Sequence, residues 1–256
     1  MITSAQNPKI KLVRALAARP RQRREAGAFL VEGIRLVEEA GRSPWPIRFV
    51  LHDEALSQRG SELIAQFRAR QIDCETVSPT LLKSLSETKT PQGILAVVEW
   101  HPLPLPASPT FVLIPDQIRD PGNLGTLLRS AAAAGVEAVL LPPETTDAFA
   151  PKVLRAGMGA HFRLPIQPLP WDEIAEQTRG LRIYLAEMDG LPCWQANLRA
   201  PLALIVGGEA EGASRAARQL ATQKISIPMR AQIESLNAGV AGSVLMFEVM
   251  RQRFTA

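Results

Sequence analysis

Short apolar runs alternate with amphipathic stretches through the first hundred residues of the chain. Runs rich in Val, Ile, Leu and Phe predict strands, whereas apolar positions three and four residues apart predict helices. The predicted strands cover residues 29–33, 47–51, 72–77 and 93–99. The predicted helices are a basic segment over 1–24, followed by 34–40, 61–71 and 79–85. Strands that alternate with helices in this way predict an α/β domain.

A proline-rich segment separates this region from the rest of the chain. Four of the nine residues from 101 to 109 are proline. This composition is typical of an extended, semi-rigid linker, because proline restricts the backbone and interrupts helices and sheets. We therefore predict a first domain over 1–100, a linker over 101–109 and a second domain over 110–256.

Near-continuous apolar runs, separated by polar loops, fill the second domain. The predicted strands cover 111–114, 136–141, 161–166, 181–187, 202–206 and 225–227. The predicted helices cover 123–134, 151–158, 171–179, 214–221 and 237–251. Strands that are apolar on both faces are typical of a parallel sheet covered by helices on both sides. The predicted fold class is therefore α/β, with a small first domain and a parallel sheet in the second.

The stretch over residues 225–251 combines several of these signals. Pro228 cannot donate a hydrogen bond to a sheet, so the last strand should end before it. Asn237 is a candidate N-cap, since its side-chain oxygen can accept a backbone N–H at the start of the last helix. The apolar stripe predicted for that helix contains Val240, Val244, Leu245, Phe247, Val249 and Met250. Gly239 and Gly242 are poor helix formers, which indicates close approach of this backbone to a neighbouring helix or a ligand.

Positive charge is concentrated towards the N-terminus. The net charge of +4 at pH 7 comes from residues 1–100, which contain 15 Lys and Arg against 11 Asp and Glu, while residues 101–256 contain 14 of each. The first 24 residues hold seven of the cations and no acid. Such a segment favours a polyanionic partner, most simply nucleic acid, with a solvated basic helix as the alternative. The candidate nucleic-acid contacts are Lys9, Lys11, Arg14, Arg21, Arg23 and Arg24.

The remaining composition argues against several classes of protein. Cys74 and Cys193 lie far apart in sequence and, with only three histidines, form no metal-ligand pattern. We therefore expect no metal site. No apolar run approaches the roughly 18–20 residues that cross a bilayer, and the N-terminal residues lack the hydrophobic core of a secretory signal. We expect a cytoplasmic protein.

Three loops follow predicted strands of the second domain, at 116–129, 207–212 and 228–237. In open α/β sheets, ligands bind at the carboxyl ends of the strands. The glycine-rich loop at 207–212 matches neither a dinucleotide-binding fingerprint nor a phosphate-binding P-loop, and its glycines favour backbone contact with a purine or a small polar ligand. Taken singly, each loop also fits a structural role, with Asn123 as a helix cap and Arg129 as a surface cation.

Together, the three loops resemble the three motifs of the SpoU, or TrmH-like, RNA ribose 2'-O-methyltransferases of the SPOUT superfamily. The matching stretches, in the family's order and at family-like spacing, are Asp120-Pro-Gly-Asn-Leu-Gly-Thr-Leu-Leu-Arg-Ser130, Ile205-Val-Gly-Gly-Glu-Ala-Glu-Gly212 and Ile227-Pro-Met-Arg-Ala-Gln-Ile-Glu-Ser-Leu-Asn237. The resemblance covers about residues 110–252. Residues 1–100 resemble, in fewer positions, the ribosomal-protein-like domain with which the family binds its substrate.

The resemblance implies a fold, a cofactor and a set of site residues. It implies a deep trefoil knot in the second domain, a homodimer with active sites at its interface, and S-adenosylmethionine bound in the knot. The cofactor-binding positions that it implies are Gly207, Gly208, Ile227, Pro228, Met229 and Leu236. The catalytic positions that it implies are Asn123, Arg129, Glu209, Ser235 and Asn237. Arg119 and Arg230 lie in the motif loops and are candidate contacts for RNA phosphate.

These residue types suit methyl transfer to a ribose 2'-hydroxyl that attacks the methyl group in line. The donor is already activated, so the protein must position the reactants and assist deprotonation. The family's proposal makes the arginine, here Arg129, the base. Because the pKa of a guanidinium exceeds about 12, we favour binding of an RNA phosphate and orientation of the hydroxyl, with the phosphate or water taking the proton. Asn123, Ser235 and Asn237 would supply neutral hydrogen bonds.

The substrate predicted from the first domain is structured RNA, with ribosomal RNA favoured and transfer RNA as the alternative. Two other classes stay open. A non-catalytic RNA-binding assembly factor of the same fold would not bind the cofactor. The argument against it is the presence of Asn123, Arg129, Ser235 and Asn237. A nucleotide-dependent oxidoreductase would need a glycine fingerprint after its first strand, and the sequence has none there.

Overall fold

The computed structural model describes residues 1–208, 212–230 and 235–254, which belong to two units. The first unit consists of Met1–His101 and Phe149–Phe162, and the second consists of Pro102–Ala148 and Arg163–Ala256. The segment Phe149–Phe162 thus joins the first unit, although it lies inside the second domain predicted from the sequence. An apolar helical stripe does not specify the sheet on which it packs, so the sequence pattern could not assign this segment.

The first unit is a four-stranded sheet with helices packed around it. Numbered along the whole chain, its helices are α1 (Pro8–Ala18), α2 (Pro20–Ala26), α3 (Ile34–Arg42), α4 (Gln58–Ala69), α5 (Pro79–Lys83) and α7 (Pro151–Gly157), with a 3-10 helix at Ala160–Phe162. Its strands are β1 (Ala28–Glu32), β2 (Ile47–His52), β3 (Cys74–Thr76) and β4 (Ile94–Glu99). The strand order is β1-β4-β2-β3, with β2 and β3 parallel and the other pairs antiparallel.

The N-terminal segment forms two helices, and the single helix predicted over 1–24 is wrong. The helix α1 begins after Asn7, whose side-chain oxygen accepts a hydrogen bond from the backbone N–H of Lys9 at 2.9 Å. Pro20 ends this helix and starts α2, because proline lacks the N–H and clashes with the preceding turn of a continuous helix. The buried residues of α1 are Ile10, Val13 and Leu16.

The second unit is a six-stranded parallel sheet between helices. Its strands are β5 (Phe111–Asp116), β6 (Ala138–Leu141), β7 (Ile166–Pro168), β8 (Arg182–Pro192), β9 (Leu202–Gly207) and β10 (Gln223–Ser226). Its helices are α6 (Pro121–Ala134), α8 (Trp171–Gln177), α9 (Arg215–Leu220) and α10 (Ala238–Phe254). The strand order is β10-β8-β9-β5-β6-β7 and all pairs are parallel. The predicted α/β class with a parallel sheet is confirmed.

Buried aliphatic side chains explain why the central strands stay inside. All six residues of β5 are buried, as are five of the six in β9. One face of the sheet packs against Ile174 of α8 and Ala217 of α9 in a shared apolar cluster. The other face carries α6 and α10, which pack against each other. Because all strands run the same way, their carboxyl ends form one edge, and the three motif loops leave from it.

The helices α6 and α10 approach closely because of a glycine. A Cβ added at Gly242 would lie 2.3 Å from Leu127 Cδ2 and 3.2 Å from a methyl of Val206. A hydrogen bond of 2.7 Å between the hydroxyls of Ser130 and Ser243 joins the same two helices. The close approach predicted for the glycines of α10 is thus made towards a neighbouring helix.

Two strands differ most from their predicted bounds. The strand predicted over 161–166 is wrong, because Ala160–Phe162 forms a 3-10 helix and β7 begins only at Ile166. The strand predicted over 181–187 continues to Pro192 as β8, after the register to β10 shifts between Lys224 and Ile225. Residues 186–190 therefore have no partner in β10, and Glu187 and Met188 among them line the pocket described below.

Candidate functional site

A pocket of about 240 Å³ opens at the carboxyl ends of β8, β9 and β10, within the second unit. The predicted cofactor and catalytic positions that line it are Gly207, Gly208, Ile227, Met229, Ser235 and Leu236. Pro228 is exposed and does not line it, which differs from the position implied by the resemblance. Its wall also contains residues that were not predicted to bind the cofactor, namely Glu187, Met188, Gly212 and Leu245.

Backbone crowding shapes the glycine end of this pocket. A Cβ added at Gly207 would lie 2.7 Å from the nitrogen of Ala213 and 2.8 Å from the carbonyl carbon of Gly212. These are main-chain atoms, so a side chain at Gly207 would force the two ends of the loop apart. Glu209, predicted as a catalytic residue, lies outside the described residues.

A buried carboxylate at the end of β5 also holds the glycine loop in place. Asp116, the last residue of β5, is fully buried, and its Oδ2 accepts a hydrogen bond of 2.6 Å from the backbone N–H of Ser214. Its Oδ1 has no hydrogen-bond partner in the described part of the chain. Burial raises the pKa of Asp116, although the hydrogen bonds from Ser214 oppose this shift. Asp116 ties the exit of the glycine loop to the centre of the sheet.

We expect Asp116→Asn to stabilise the protein relative to the wild type, increasingly so as the pH rises. Folding raises the pKa of the Asp116 carboxyl above its ordinary value of 3.8. The free energy of unfolding of the wild type therefore falls as the pH rises from 3.8 to the raised pKa of the folded protein. Asparagine keeps an oxygen for Ser214 but carries no charge. Urea unfolding at several pH values measures the difference, with the exposed Asp172→Asn as control. A pH-independent difference would contradict the prediction.

The helix α6 begins earlier than predicted, which moves its functional positions. Asp120 is the N-cap, and its side chain accepts a hydrogen bond of 2.9 Å from the backbone N–H of Asn123. The structural alternative, in which Asn123 caps this helix, is therefore wrong, because Pro121 already occupies the first helical position, which suits a residue without an N–H. Arg129 is consequently the ninth residue of α6 and lies in its third turn.

The side chain of Asn123 is thereby left available for another contact. Asn237 donates from Nδ2 to the Oδ1 of Asn123 at 2.8 Å. The Oδ1 of Asn237 accepts from the backbone N–H of Val240 at 3.1 Å, so the predicted cap of α10 is present in the structure. One asparagine thus holds the start of α10 and joins it to the start of α6, which brings the first and third motifs together.

The structure places the remaining motif cations at the surface. Arg129 is exposed, does not line the pocket, and makes no hydrogen bond or ion pair with the described residues. Arg230 is also exposed. Arg119 is exposed and pairs with Glu144 at 3.2 Å, a contact that water screens. These positions leave all three guanidinium groups accessible to a phosphate.

The predicted N-terminal cations divide into two groups. Arg23 is buried, and its guanidinium donates to the carbonyl oxygens of Leu16 at 2.5 Å and Ala17 at 3.3 Å. It fastens α2 to α1, so its assignment as an RNA contact is corrected. Lys9 is half-buried and pairs with Asp73 and Glu75, which satisfy its charge within the unit. The cations that stay exposed are Lys11, Arg14, Arg21 and Arg24.

A compact ion-pair cluster lies at the rim of the pocket. Glu187 accepts from Arg218 Nε at 2.8 Å, and its other oxygen pairs with Lys224 at 2.7 Å. Lys224 also pairs with Asp189 at 2.9 Å. Hydrogen bonds to Glu187 and Asp189 raise the pKa of Lys224 and thus keep it charged. The signal in the sequence was the position of Glu187, directly after the apolar run of β8 at the ligand-binding edge.

One side of α10 is apolar but faces outward. Val240, Val244 and Phe247 are 48%, 40% and 45% exposed, although they belong to the stripe that the sequence analysis predicted. The buried side chains of α10 include Leu245 and Val249 of the same stripe, together with Met246. The helix is therefore apolar on two sides, and a contiguous exposed apolar side of this kind marks a surface for association.

The described residues contain no group of three or more His, Cys, Asp and Glu side chains that could hold a metal ion. No helix among them is long and apolar enough to cross a membrane.

Comparison with known proteins assigns both parts of the chain. The pattern of the SpoU rRNA Methylase family matches residues 110–247, and the pattern of the MRM3-like substrate binding domain matches residues 7–96. The first match contains all three motif loops. The second contains most of the first unit, including the exposed cations of α1 and α2.

Individual relatives match over almost the whole chain. The 23S rRNA (guanosine(2553)-2'-O)-methyltransferase RlmP of Bacillus subtilis is 35% identical, over 97% of this chain and 98% of its own length. The 23S rRNA (uridine(2479)-2'-O)-methyltransferase of Streptomyces viridochromogenes is 32% identical, over 98% and 92%. The crystal structure of the SpoU methyltransferase AviRb from the same organism, in complex with AdoMet, has a TM-score of 0.88 at 30% identity and covers 98% of this chain and 100% of that one.

Proposed function

Because the chain belongs to the SpoU rRNA methylase family, we propose that it transfers a methyl group from S-adenosylmethionine to a ribose 2'-hydroxyl of ribosomal RNA. The observation that carries this proposal is the meeting of two motifs at one edge of the sheet. The Asn123–Asn237 hydrogen bond joins the starts of α6 and α10, and the same edge holds the pocket lined by Ser235 and Leu236. The asparagines that would orient the acceptor ribose thus lie at the same edge as the pocket that would bind the cofactor.

The pocket fits the chemistry of S-adenosylmethionine. Ile227, Met229, Leu236 and Leu245 give it an apolar lining that suits the purine and the carbon chain of the methionine part of the molecule. The backbone at Gly207 and Gly208 can approach the ligand closely because no side chain intervenes. When bound, the cofactor supplies a methyl group on a sulfonium, which needs no further activation. We further propose that the chain around this pocket is knotted, as the resemblance implies.

The protein's own groups then have three tasks. Arg129, accessible and charged, binds an RNA phosphate and holds the ribose in place. The amides of Asn123 and Asn237 orient each other, and Ser235 at the pocket mouth offers a hydroxyl to the cofactor or the ribose. The proton of the 2'-hydroxyl passes to the bound phosphate or to water, because the three motif loops contain no histidine or cysteine that could take it.

Ribosomal RNA is preferred to transfer RNA as the substrate on two grounds. The N-terminal region matches an MRM3-like substrate binding domain, and the two relatives named above are 23S rRNA methyltransferases along nearly their full length. Those relatives modify a guanosine and a uridine, so the shared site does not determine the base. We propose that the first unit selects the RNA, largely through shape and phosphate contact by its exposed cations. The cytoplasmic location predicted from the sequence stays a prediction.

The test of this function is a map of alkaline cleavage in RNA from cells with and without the protein. Alkaline scission uses the 2'-oxygen as nucleophile, so a methylated ribose leaves a gap in the ladder. We expect one gap in 23S-type ribosomal RNA to disappear with the protein and to return with purified protein and S-adenosylmethionine. A lost gap in transfer RNA would correct the substrate. No change in any RNA, combined with no cofactor binding, would favour the non-catalytic assembly factor.

We propose that the chain works as a homodimer formed through the exposed side of α10. Val240, Val244 and Phe247 present apolar surface that a second copy would cover. We expect Val244→Glu to weaken the dimer at least about tenfold, because it places a charge in an apolar interface. Light scattering across a dilution series measures the change, with the exposed Gln219→Glu on α9 as control. Equal association of both variants would place the interface elsewhere.

A further inference from the structure

Glu187 lines the pocket from β8, which lies between β10 and β9 in the sheet. It follows Ala186, which pairs with Val206 of β9, so Glu187 lies level with the glycine loop that begins at Gly207. Its side chain is 15% exposed and is fixed by Arg218 and Lys224, one on each oxygen. A carboxylate oxygen can accept more than one hydrogen bond, so each retains capacity for a donor in the pocket.

The surrounding charges decide which kind of donor suits Glu187. The two cations Arg218 and Lys224 balance the two carboxylates Glu187 and Asp189, so the cluster carries no net charge. It therefore offers little attraction for an ammonium or a sulfonium. Neutral donors, such as hydroxyl groups, can form a hydrogen bond with Glu187 without the need for a net negative charge. A fixed carboxylate is also a common way to bind the two adjacent hydroxyls of a ribose.

The sheet order separates Glu187 from the reacting end of the site. In the order β8-β9-β5, the strand that leads to α6 is two positions away from β8, which corresponds to roughly 10 Å at the usual strand spacing. The methyl group must lie near Asn123 and Asn237, where the acceptor ribose is held in the proposed function. Glu187 therefore faces the nucleoside half of the cofactor.

We propose that Glu187 accepts hydrogen bonds from the ribose hydroxyls of S-adenosylmethionine and so fixes the nucleoside half of the cofactor. This inference rests on the proposed function. Arg218 and Lys224 act as positioning residues, because they hold the carboxylate in place without touching the cofactor. Glu187 lies in the segment 186–190, which has no partner in β10, and it lines the pocket.

The test measures binding by calorimetry with S-adenosylhomocysteine and with its 2'-deoxy, 3'-deoxy and N6-methyl analogues. We expect Glu187→Gln to weaken S-adenosylhomocysteine about tenfold, the usual effect of a lost hydrogen bond to a charged group. Removing a ribose hydroxyl should weaken binding to the wild type about tenfold and binding to Glu187→Gln much less. Glu176→Gln, an exposed carboxylate paired with Arg179 in the same unit, is the matched control. Thermal unfolding verifies that each variant is folded.

Each other outcome has a definite meaning. Equal penalties for the deoxy analogues in the wild type and Glu187→Gln would overturn the proposal, because the carboxylate would then not contact the hydroxyls. If Glu187→Gln removes only the loss of affinity that the N6-methyl group causes in the wild type, Glu187 contacts the adenine instead. If Glu187→Gln does not fold, Glu187→Asp, which keeps the charge at shorter reach, replaces it. A wild type that binds none of the ligands would contradict the proposed function itself.

Discussion

Arg129→Ala is expected to reduce methyl transfer by about 10²–10³-fold while cofactor affinity stays within about twofold of the wild type. The guanidinium is exposed, does not line the pocket and has no partner among the described residues. Its removal should therefore change the free energy of unfolding little, and it should affect the reaction only when RNA is bound. A bidentate contact to phosphate would disappear, and with it the alignment of the 2'-hydroxyl.

Two further variants make this result specific. Arg129→Lys keeps the charge but not the planar pair of donors, so we expect intermediate turnover. Arg179→Ala removes another exposed arginine of the same unit and should leave turnover unchanged. Single-turnover methylation and calorimetry with S-adenosylhomocysteine provide the two readouts. Parallel loss of turnover and cofactor binding in Arg129→Ala would indicate a structural role and would refute our assignment.

The sequence predicted the order of elements in the second unit because its strands are apolar on both faces. A run such as Phe111–Asp116 leaves few alternatives to a buried parallel strand. The start of α6 was less accessible, since Asp120 and Asn123 are both good N-cap residues three positions apart. Only the position of Pro121 in the folded helix distinguishes them.

The sequence could not predict which side of α10 is buried, because the helix is apolar on two sides. Val240 and Val244 follow helical spacing as well as Leu245 and Val249 do, yet the first pair is exposed and the second buried. Burial was decided by the glycine that lets α10 approach α6, not by hydrophobicity. Similarly, Arg23 and Arg24 both lie in the basic N-terminal segment, and the sequence does not distinguish them. Only the fold shows that Arg23 donates to a carbonyl oxygen of α1 and so joins α1 to α2.

The site residues were found where the sequence carries short motifs and missed where it does not. Gly207, Ser235 and Asn237 stand in stretches that resemble known motifs, so their proximity was expected. Glu187 stands after an ordinary apolar run, and its significance depends on the register shift of β8 against β10. Such a shift depends on contacts between distant segments, which residue periodicity does not encode.

Gly207→Ala is expected to lower cofactor affinity roughly 100-fold and to destabilise the folded protein by about 1–3 kcal/mol. The added methyl group would lie 2.7 Å from the backbone nitrogen of Ala213 and 2.9 Å from its Cα. Backbone cannot rotate away as a side chain can, so the two ends of the loop must separate. Because Gly207 pairs with Asp116 of β5, the displacement falls on the loop and the pocket wall instead of on the sheet.

Gly135→Ala is the control that separates this clash from a general cost of replacing glycine. Gly135 ends α6 with a φ of +79°, and an added Cβ would meet nothing within 4 Å. Alanine there should cost about 1 kcal/mol through backbone strain and leave cofactor affinity unchanged. Urea unfolding and calorimetry with S-adenosylhomocysteine compare the two variants. Unchanged affinity in folded Gly207→Ala would show that this end of the pocket does not hold the cofactor, and the assignment of the glycine loop would then have to be withdrawn.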